Sequence, residues 1–499
     1  MTAIELGERP LSVQDLLRVA RGTAALRLGE PARQRIDQSH RLLLARAEAG
    51  AAIYGVTTGL GAAVDLRLPT DDPRRQPRIA LGRAVGVGRL ASREEVRAIA
   101  AARLAGLAEG RSGISLATAE ALLALLDADI CPEIPLTGSL GESDLAPLAH
   151  LSLGLLGEGW VQWRGQRVPA AQALAECGLA VPALSGKDGL ALVSANAASL
   201  GLGSLLLDEA DRALDSLLAA LALSCEGYRA NLGPFRPRAA QLHPVSGHAA
   251  QAALLLALFE GGELTQPQAA RRLQDPLSFR CAAQVHGAAR QAWQQLRDTL
   301  ATELASGADN PALVVEDGQV LANGNFDSTH LALASEGLGL AFSRLAACSA
   351  ERLAKLLSPA SSELPRFLIE TPGHVGLAAL QRTSAALLAQ IGHLANPLPA
   401  VCIEVADRVE DYAGQALAVI DKTRELVRLV QTQAAIELIA AAQAVDLRGD
   451  VRLGQGTGGI HRAVRSQVAR LETDRPGAWD VQALLALIES RGWPELRRS

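Results

Sequence analysis

Aromatic side chains are scarce in this chain. They make up 3% of 499 residues, as six Phe, five Trp and three Tyr. The core must therefore be built from Leu, Ala, Val and Ile. Leu and Ala, the stronger helix formers, predominate over the strand formers. Lysine is nearly absent and occurs only at Lys187, Lys355 and Lys422, so arginine carries the positive charge. There is no basic excess: 48 Lys+Arg stand against 53 Asp+Glu, a net charge of −5. That balance excludes a general nucleic-acid binder. The cysteines at 131, 177, 225, 281, 348 and 402 show no metal-ligand spacing. Buried thiols in a reducing compartment are expected, with no metal. Apolar runs such as Ala252–Phe259 fall far short of the roughly 20 residues a membrane span needs. The first residues, mixed polar and apolar, lack the apolar stretch of a signal peptide. A cytoplasmic protein without membrane or nucleic-acid partners is expected. What is present argues for a folded core: 49% of the residues are hydrophobic, which excludes disorder.

The middle and C-terminal parts carry helical spacing. From Asp327, apolar residues recur at Leu331, Ala334, Leu338, Phe342, Leu345 and Cys348, and Ser358-Pro359 ends the pattern. Similar patterns predict helices over 187–226, 247–261, 284–305, 375–394 and 401–445. Strand signals are few, with hairpins expected at 160–168 and 312–321. The predicted fold is mostly α: a long-helix bundle with few short strands. Residues 1–186 form a loop-rich N-terminal region and 187–499 the helical remainder, as one structural unit rather than independent domains. Gly454-Gln455-Gly456-Thr457-Gly458-Gly459 satisfies a dinucleotide-binding pattern but lacks the strand that must precede it. A helix connection is expected there. His150, His243 and His461 have no metal-like neighbours and read as structural.

Two loops carry candidate chemistry. In the first, Tyr54 is followed by Gly55, Gly59 and Gly61, which let backbone approach a ligand. A tyrosine there can serve as an acid or base. The second is Gly138-Ser139-Leu140-Gly141-Glu142-Ser143-Asp144-Leu145, where Asp144 can cap a helix starting at Leu145.

These two loops resemble the histidine/phenylalanine/tyrosine ammonia-lyase and aminomutase family. So do Gln274-Asp275-Pro276-Leu277-Ser278-Phe279-Arg280, Asp309-Asn310-Pro311, Gly324-Asn325-Phe326, Leu364-Pro365-Arg366-Phe367, Glu410-Asp411-Tyr412 and the tail from Leu453 to Val468. The resemblance covers essentially the whole chain. It implies a helical homotetramer whose active sites are shared between subunits. It also implies 4-methylideneimidazol-5-one, an electrophile made from an internal Ala-Ser-Gly that activates the substrate amine. Tyr54 matches the family's base and Arg280 its carboxylate-binding arginine. Gln274, Phe326 and Glu410 match other pocket positions.

Departures from the pattern gather at the electrophile. The family's Gly-Ala-Ser-Gly-Asp-Leu is here Gly141-Glu142-Ser143-Asp144-Leu145, one residue shorter, without the glycine whose nitrogen closes the ring. Ser194-Ala195-Asn196-Ala197 replaces the asparagine run that supports the ring. Leu277 stands for a pocket tyrosine and Arg83 for a histidine. No prosthetic group is expected to form. The leading expectation is a lyase-type enzyme on a small amino-acid-like or carboxylated substrate. Tyr54 is its base or acid, and Glu142, Ser143 or Asp144 stand where the electrophile belongs. Arg83 pairs with Glu142 or with an acidic substrate, and Ser194, Asn196, Gln274, Leu277, Arg280, Phe326 and Glu410 line the pocket. One alternative is a non-catalytic homologue that binds a metabolite or assembles with an active paralogue. Another is a conventional ammonia-lyase with an atypical ring from Glu142-Ser143-Asp144.

Overall fold

The computed structural model describes residues 2–69, 72–399, 403–493 and 496. Its contacts divide the chain into two compact units. The first comprises 1–205, 297–335 and 398–421; the second comprises 206–296, 336–397 and 422–499. The division follows packing and is discontinuous in sequence, so it does not fall at residue 186.

The first unit opens with strand Thr2–Leu6, which pairs in parallel with Ala24–Leu28 across helix Val13–Ala20. Helix Arg93–Ala108 starts with a capping box: the Ser92 hydroxyl accepts from the Glu95 amide, and the Glu95 carboxylate accepts from the Ser92 amide. Nearly every side chain of that helix is buried, mostly Ala and Leu, and small side chains let neighbouring backbones approach. Both predicted hairpins form, as Trp160–Trp163 with Gln166–Pro169 and Ala312–Val314 with Gln319–Leu321. The helix expected over 187–226 is broken. Asp188–Val193 ends at Ser194, and Ala197–Tyr228 starts afresh. Residues 194–196 are thereby freed to face the Gly138–Asp144 loop. Likewise the helix expected from 401 begins only at Ala416; Val401 and Cys402 lie outside the described residues. Residues 403–415 bend through left-handed backbone at Ala406, Asp407, Arg408 and Gln415 and pair Val405 with Glu410.

The second unit is built on parts of the long helices Ala197–Tyr228, Ala282–Leu304, Thr329–Leu356 and Ala416–Leu447. A fully buried ion pair sits in it: Arg352 Nε and Nη2 donate to Glu437 at 2.6 and 2.8 Å. The glycine-rich segment at 454 is the start of helix Gln455–Gln467, and helix Ala416–Leu447, not a strand, precedes it. The carboxylate of Glu226 accepts from the Gly454 amide and the Thr457 hydroxyl, at 3.2 and 2.7 Å. The helix start thus already holds a carboxylate of its own chain.

Among the described residues two helical stretches, Asp188–Tyr228 and Thr329–Leu356, are long and apolar enough to cross a membrane, although no single run in the sequence signals it. The apolar stretch within Asp188–Tyr228 is wholly buried in the protein. Among the described residues no group of His, Cys, Asp and Glu has the geometry of a metal site. The described cysteines are free thiols. His150 accepts from the Gly86 amide and His461 meets Asp446, both structural contacts.

Candidate active site

The Tyr54 loop is held by its own backbone. The carbonyl of Ile53 accepts from the amides of Val56, Thr57 and Thr58, and the Thr57 hydroxyl accepts from the Ile53 amide at 2.7 Å. Ile53 and Val56 are pinned into a core cluster with Leu43 and Leu313. A side chain on Gly59 would place its Cβ 2.3 Å from the Ala63 carbonyl oxygen, so only glycine fits there. The Gly61 amide donates to Tyr54 Oη at 2.9 Å. An N–H aimed at that oxygen stabilises negative charge developing on it.

The second loop runs Gly138–Asp144. Gly141 has φ +84°, and a Cβ there would lie 2.6 Å from the Gln415 amide nitrogen. Ser143 is also left-handed, with φ +65°. Its amide donates to Asn196 Oδ1 at 3.1 Å, and Asn196 Nδ2 donates to the Phe326 carbonyl at 2.9 Å. Asn196 therefore fastens the loop to the segment at 326. The hydroxyls of Ser143 and Ser194 lie 3.4 Å apart.

Asp144 departs from the expectation for it. It precedes helix Leu145–Leu155, but its side chain does not cap that helix. The carboxylate, fully buried, accepts from the Ser139 and Ser199 hydroxyls at 2.8 and 3.0 Å and from the Ser199 amide at 2.7 Å. It caps helix Ala197–Tyr228 instead. Burial raises its pKa, against these hydrogen bonds. With its oxygens so engaged, Asp144 anchors the loop to the start of helix Ala197–Tyr228 and does not line the cavity.

A cavity of about 620 Å³ lies between these loops, lined by Tyr54, Gly61, Arg83, Glu142, Ser143, Ser194, Phe326 and Glu410. Asn310, Asp411 and Tyr412 also line it. Asn196 stands behind the cavity as a support, and Gly55 and Gly59 shape the Tyr54 loop. Gln274, Leu277 and Arg280 belong to the second unit. There Arg280 donates to Gln274 Oε1 at 2.7 Å, and Leu277 is exposed.

Glu142 and Arg83 do not form the expected ion pair. Glu142 Oε1 accepts from the Gly414 amide at 3.0 Å. Arg83 donates to the Ile79 carbonyl, and among the described residues it makes no ion pair with a carboxylate. The cavity therefore offers an unmatched guanidinium. Burial pushes Glu142 up to about 7; the Asp327 and Glu410 carboxyls add to the shift and the Gly414 N–H opposes it. Between the ordinary 4.5 and about 7, the folded protein keeps a proton that the unfolded chain has lost, so stability falls as pH rises through that window. Glu142→Gln should therefore raise the melting temperature relative to the parent at pH 8 and lose that advantage near pH 4.5. Thermal scans at both values check this; an equal gain at both would contradict it.

The similarity of the chain to known proteins fits this arrangement. The aromatic amino acid lyase family model matches residues 11–466. This chain belongs to the aromatic amino acid lyase family. A histidine ammonia-lyase of Anaeromyxobacter sp. (strain K) is 37% identical over 505 residues, covering 99% of each chain. Among solved structures of the family, ergothionase from Treponema denticola, an ergothioneine-degrading enzyme, superposes with a TM-score of 0.93 at 29% identity, covering 100% of both chains. Tyrosine aminomutase from Streptomyces globisporus gives 0.93 at 30%, covering 99% of this chain and 98% of that one. The lyase family thus accounts for the fold and for a lyase activity on a small molecule.

Tyr412 lines the cavity, and Thr329 links it to Asp327 outside that lining, a connection no sequence signal marked. Asp327 pairs with Glu142 through an antiparallel backbone contact, and the Thr329 hydroxyl lies 2.6 Å from Tyr412 Oη.

Proposed function

We propose that this chain is a carbon–nitrogen lyase for a small amino-acid-like substrate, working without 4-methylideneimidazol-5-one and with Tyr54 as base. The observation that carries the reading is the state of the Glu142-Ser143-Asp144 loop. Ring formation needs the amide nitrogen of the third residue free to attack the carbonyl of the first. Here that nitrogen belongs to Asp144 and donates to the Ala195 carbonyl at 2.7 Å. The side chain on the same residue is locked by Ser139 and Ser199. The residues do not fit the prosthetic group.

An enzyme without that electrophile needs a substrate whose nitrogen leaves unaided. A quaternary nitrogen does so, because unlike a primary ammonium it cannot lose its charge to a base: the Cα–N electron pair stays with nitrogen, which departs as a neutral tertiary amine. Tyr54, its own phenolic proton first given up to water, takes the β-proton and the C–H electrons form the double bond. Arg83 suits the substrate carboxylate through paired N–H donors. Glu142 and Glu410, with the rings of Tyr54 and Phe326, suit the cation. Ergothioneine, named for the Treponema enzyme, is itself a trimethylammonium amino acid. The family's homotetramer belongs to the same reading: Leu273 and Leu277, 87% and 62% exposed, precede Arg280 on the same segment and are apolar surface for another copy to cover.

The intact mass of the purified protein should equal that of the unmodified sequence. A mass short by two waters, the signature of ring closure, would overturn the reading. Turnover is then sought with amino acids of increasing N-methylation, following alkene absorbance. Activity on the primary amine alone would contradict the leaving-group argument.

A further inference from the structure

The short helix Arg75–Leu81 meets the site at both of its ends. At its start the Arg75 guanidinium reaches into the Tyr54 loop. Nη1 donates to the Val56 carbonyl and, at 3.2 Å, to the Pro69 carbonyl, and Nη2 donates to the Thr58 carbonyl. The next residue, Gln76, is buried. Its Nε2 donates to the Gly55 carbonyl at 3.3 Å and its Oε1 accepts from the Gly189 amide at 2.9 Å. The carbonyls of Gly55, Val56 and Thr58 are therefore held from one helix, and Thr57 between them accepts from the Leu68 amide at 3.0 Å. Just past the other end stands Arg83. Its amide donates to the Ala80 carbonyl at 3.0 Å and its guanidinium to the Ile79 carbonyl at 3.3 Å. Tyr54 and Arg83 both line the cavity.

We propose that Arg75 is a positioning residue for the lyase reaction: its two-limbed guanidinium clamps the Tyr54 loop to helix Arg75–Leu81 and so fixes the base relative to Arg83. The inference rests on the reading that Tyr54 takes the β-proton while Arg83 holds the substrate carboxylate.

The bonding of Arg75 is that of a clamp. Among the described residues it makes no ion pair; Asp72, close enough for its charge to be felt, is bonded to Arg74 and Arg78 instead. A guanidinium carries its donors in a fixed planar spread, which here spans two carbonyls two residues apart. A lysine ammonium is a point charge on a flexible stem and lacks that spread. The guanidinium also stays protonated at any working pH, so the clamp is the same whatever the state of Tyr54. The parts it joins have no slack. A Cβ on Gly189 would lie 2.1 Å from the Gln76 carbonyl oxygen, and one on Gly55 would lie 2.6 Å from Leu190 Cδ2. A reacting group displaced by about 1 Å loses roughly 10²-fold in rate.

Fluorine NMR reads the position of Tyr54 without any substrate. The chain has three tyrosines, so protein labelled with 3-fluorotyrosine should give three resonances, and Tyr54→Phe assigns one of them. In Arg75→Gln the Tyr54 resonance should shift and at least double in width. That of Tyr228, fully buried in the second unit, should stay in place. Turnover is measured on the same series of N-methylated amino acids, well below the melting temperature of each variant, so that lost stability does not read as lost rate. Arg75→Gln should lower kcat by about 10²-fold with KM within about threefold of the parent. Arg75→Lys keeps the charge but not the spread, and should lower kcat by about tenfold. If Arg75→Gln does not fold, Arg75→Lys takes its place in every measurement. An unmoved Tyr54 resonance, or parent-like kcat in either variant, would overturn the inference. A displaced Tyr54 resonance in a protein whose parent turns over no amine sinks the lyase reading alone. Turnover that depends on Tyr54 but not on Arg75 sinks this inference alone.

Discussion

Tyr54→Phe should reduce kcat by about 10²–10⁴-fold, the usual contribution of a positioned general base. The change removes one oxygen. Among the described residues that oxygen's hydrogen bond is with the Gly61 amide, at the edge of the cavity where water can replace it. The loop itself is held elsewhere, by the Ile53 carbonyl and by Ile53 and Val56 in the core. The variant should therefore stay folded, with its unfolding free energy within about 1 kcal/mol of the parent. Affinity for glycine betaine, which carries a carboxylate and a quaternary nitrogen but no β-hydrogen to be eliminated, should change little, because the phenyl ring remains beside the cation. A large loss in kcat with a small change in Kd is the signature of a group that acts on the reacting proton. Full activity in this variant would remove Tyr54 from the mechanism.

Asp309→Ala should have the largest effect on stability, a loss of about 3–5 kcal/mol, because it strands a buried charge. Arg103 and Asp309 are 1% and 0% exposed and meet through two contacts, at 2.9 and 3.3 Å. Lys187, also fully buried, donates to the Pro311 carbonyl at 2.8 Å. Burial pushes Lys187 down to about 8, with Asp309 opposing the shift and Arg103 adding to it. Removing Asp309 leaves two buried cations side by side without their anion. The damage should also reach the cavity. Asn310, on its wall, lies between the residue held by Arg103 and the residue held by Lys187. Denaturant unfolding measures the first effect and betaine affinity the second. A loss below about 1 kcal/mol would show that water relieves the stranded charges.

Much of the helical fold was legible because its apolar residues repeat at helical spacing and because family motifs run the length of the chain. The parallel pair Thr2–Leu6 and Ala24–Leu28 was not. The second strand reads Ala-Ala-Leu-Arg-Leu, residues that favour helix when taken alone, and only the pairing makes it a strand. The interruption at 194–196 was hidden within an apolar stretch long enough for one helix.

The site shows the same limit. Tyr54, Glu142, Phe326 and Glu410 could be placed by motif, and they line one cavity. Asp144 was misjudged because a cap was sought on the next helix. Its partner Ser199 lies 55 positions away, on a helix start that exists only because the chain breaks at Ser194. Asp327 and Tyr412 are farther apart in sequence still, and a threonine that no motif marks joins them.

The anchoring of Asp144 bears on how such a protein comes into service. An enzyme that must build its own electrophile has a chemical step to complete after folding, and newly made chains wait for it. Here the amide and carboxylate that sit at the ring-closing position are both engaged as soon as helix Ala197–Tyr228 forms against them. On the proposed reading, ripening and folding are one event: each copy leaves the folding transition with its site finished, and refolded protein should regain activity with no lag beyond folding and assembly.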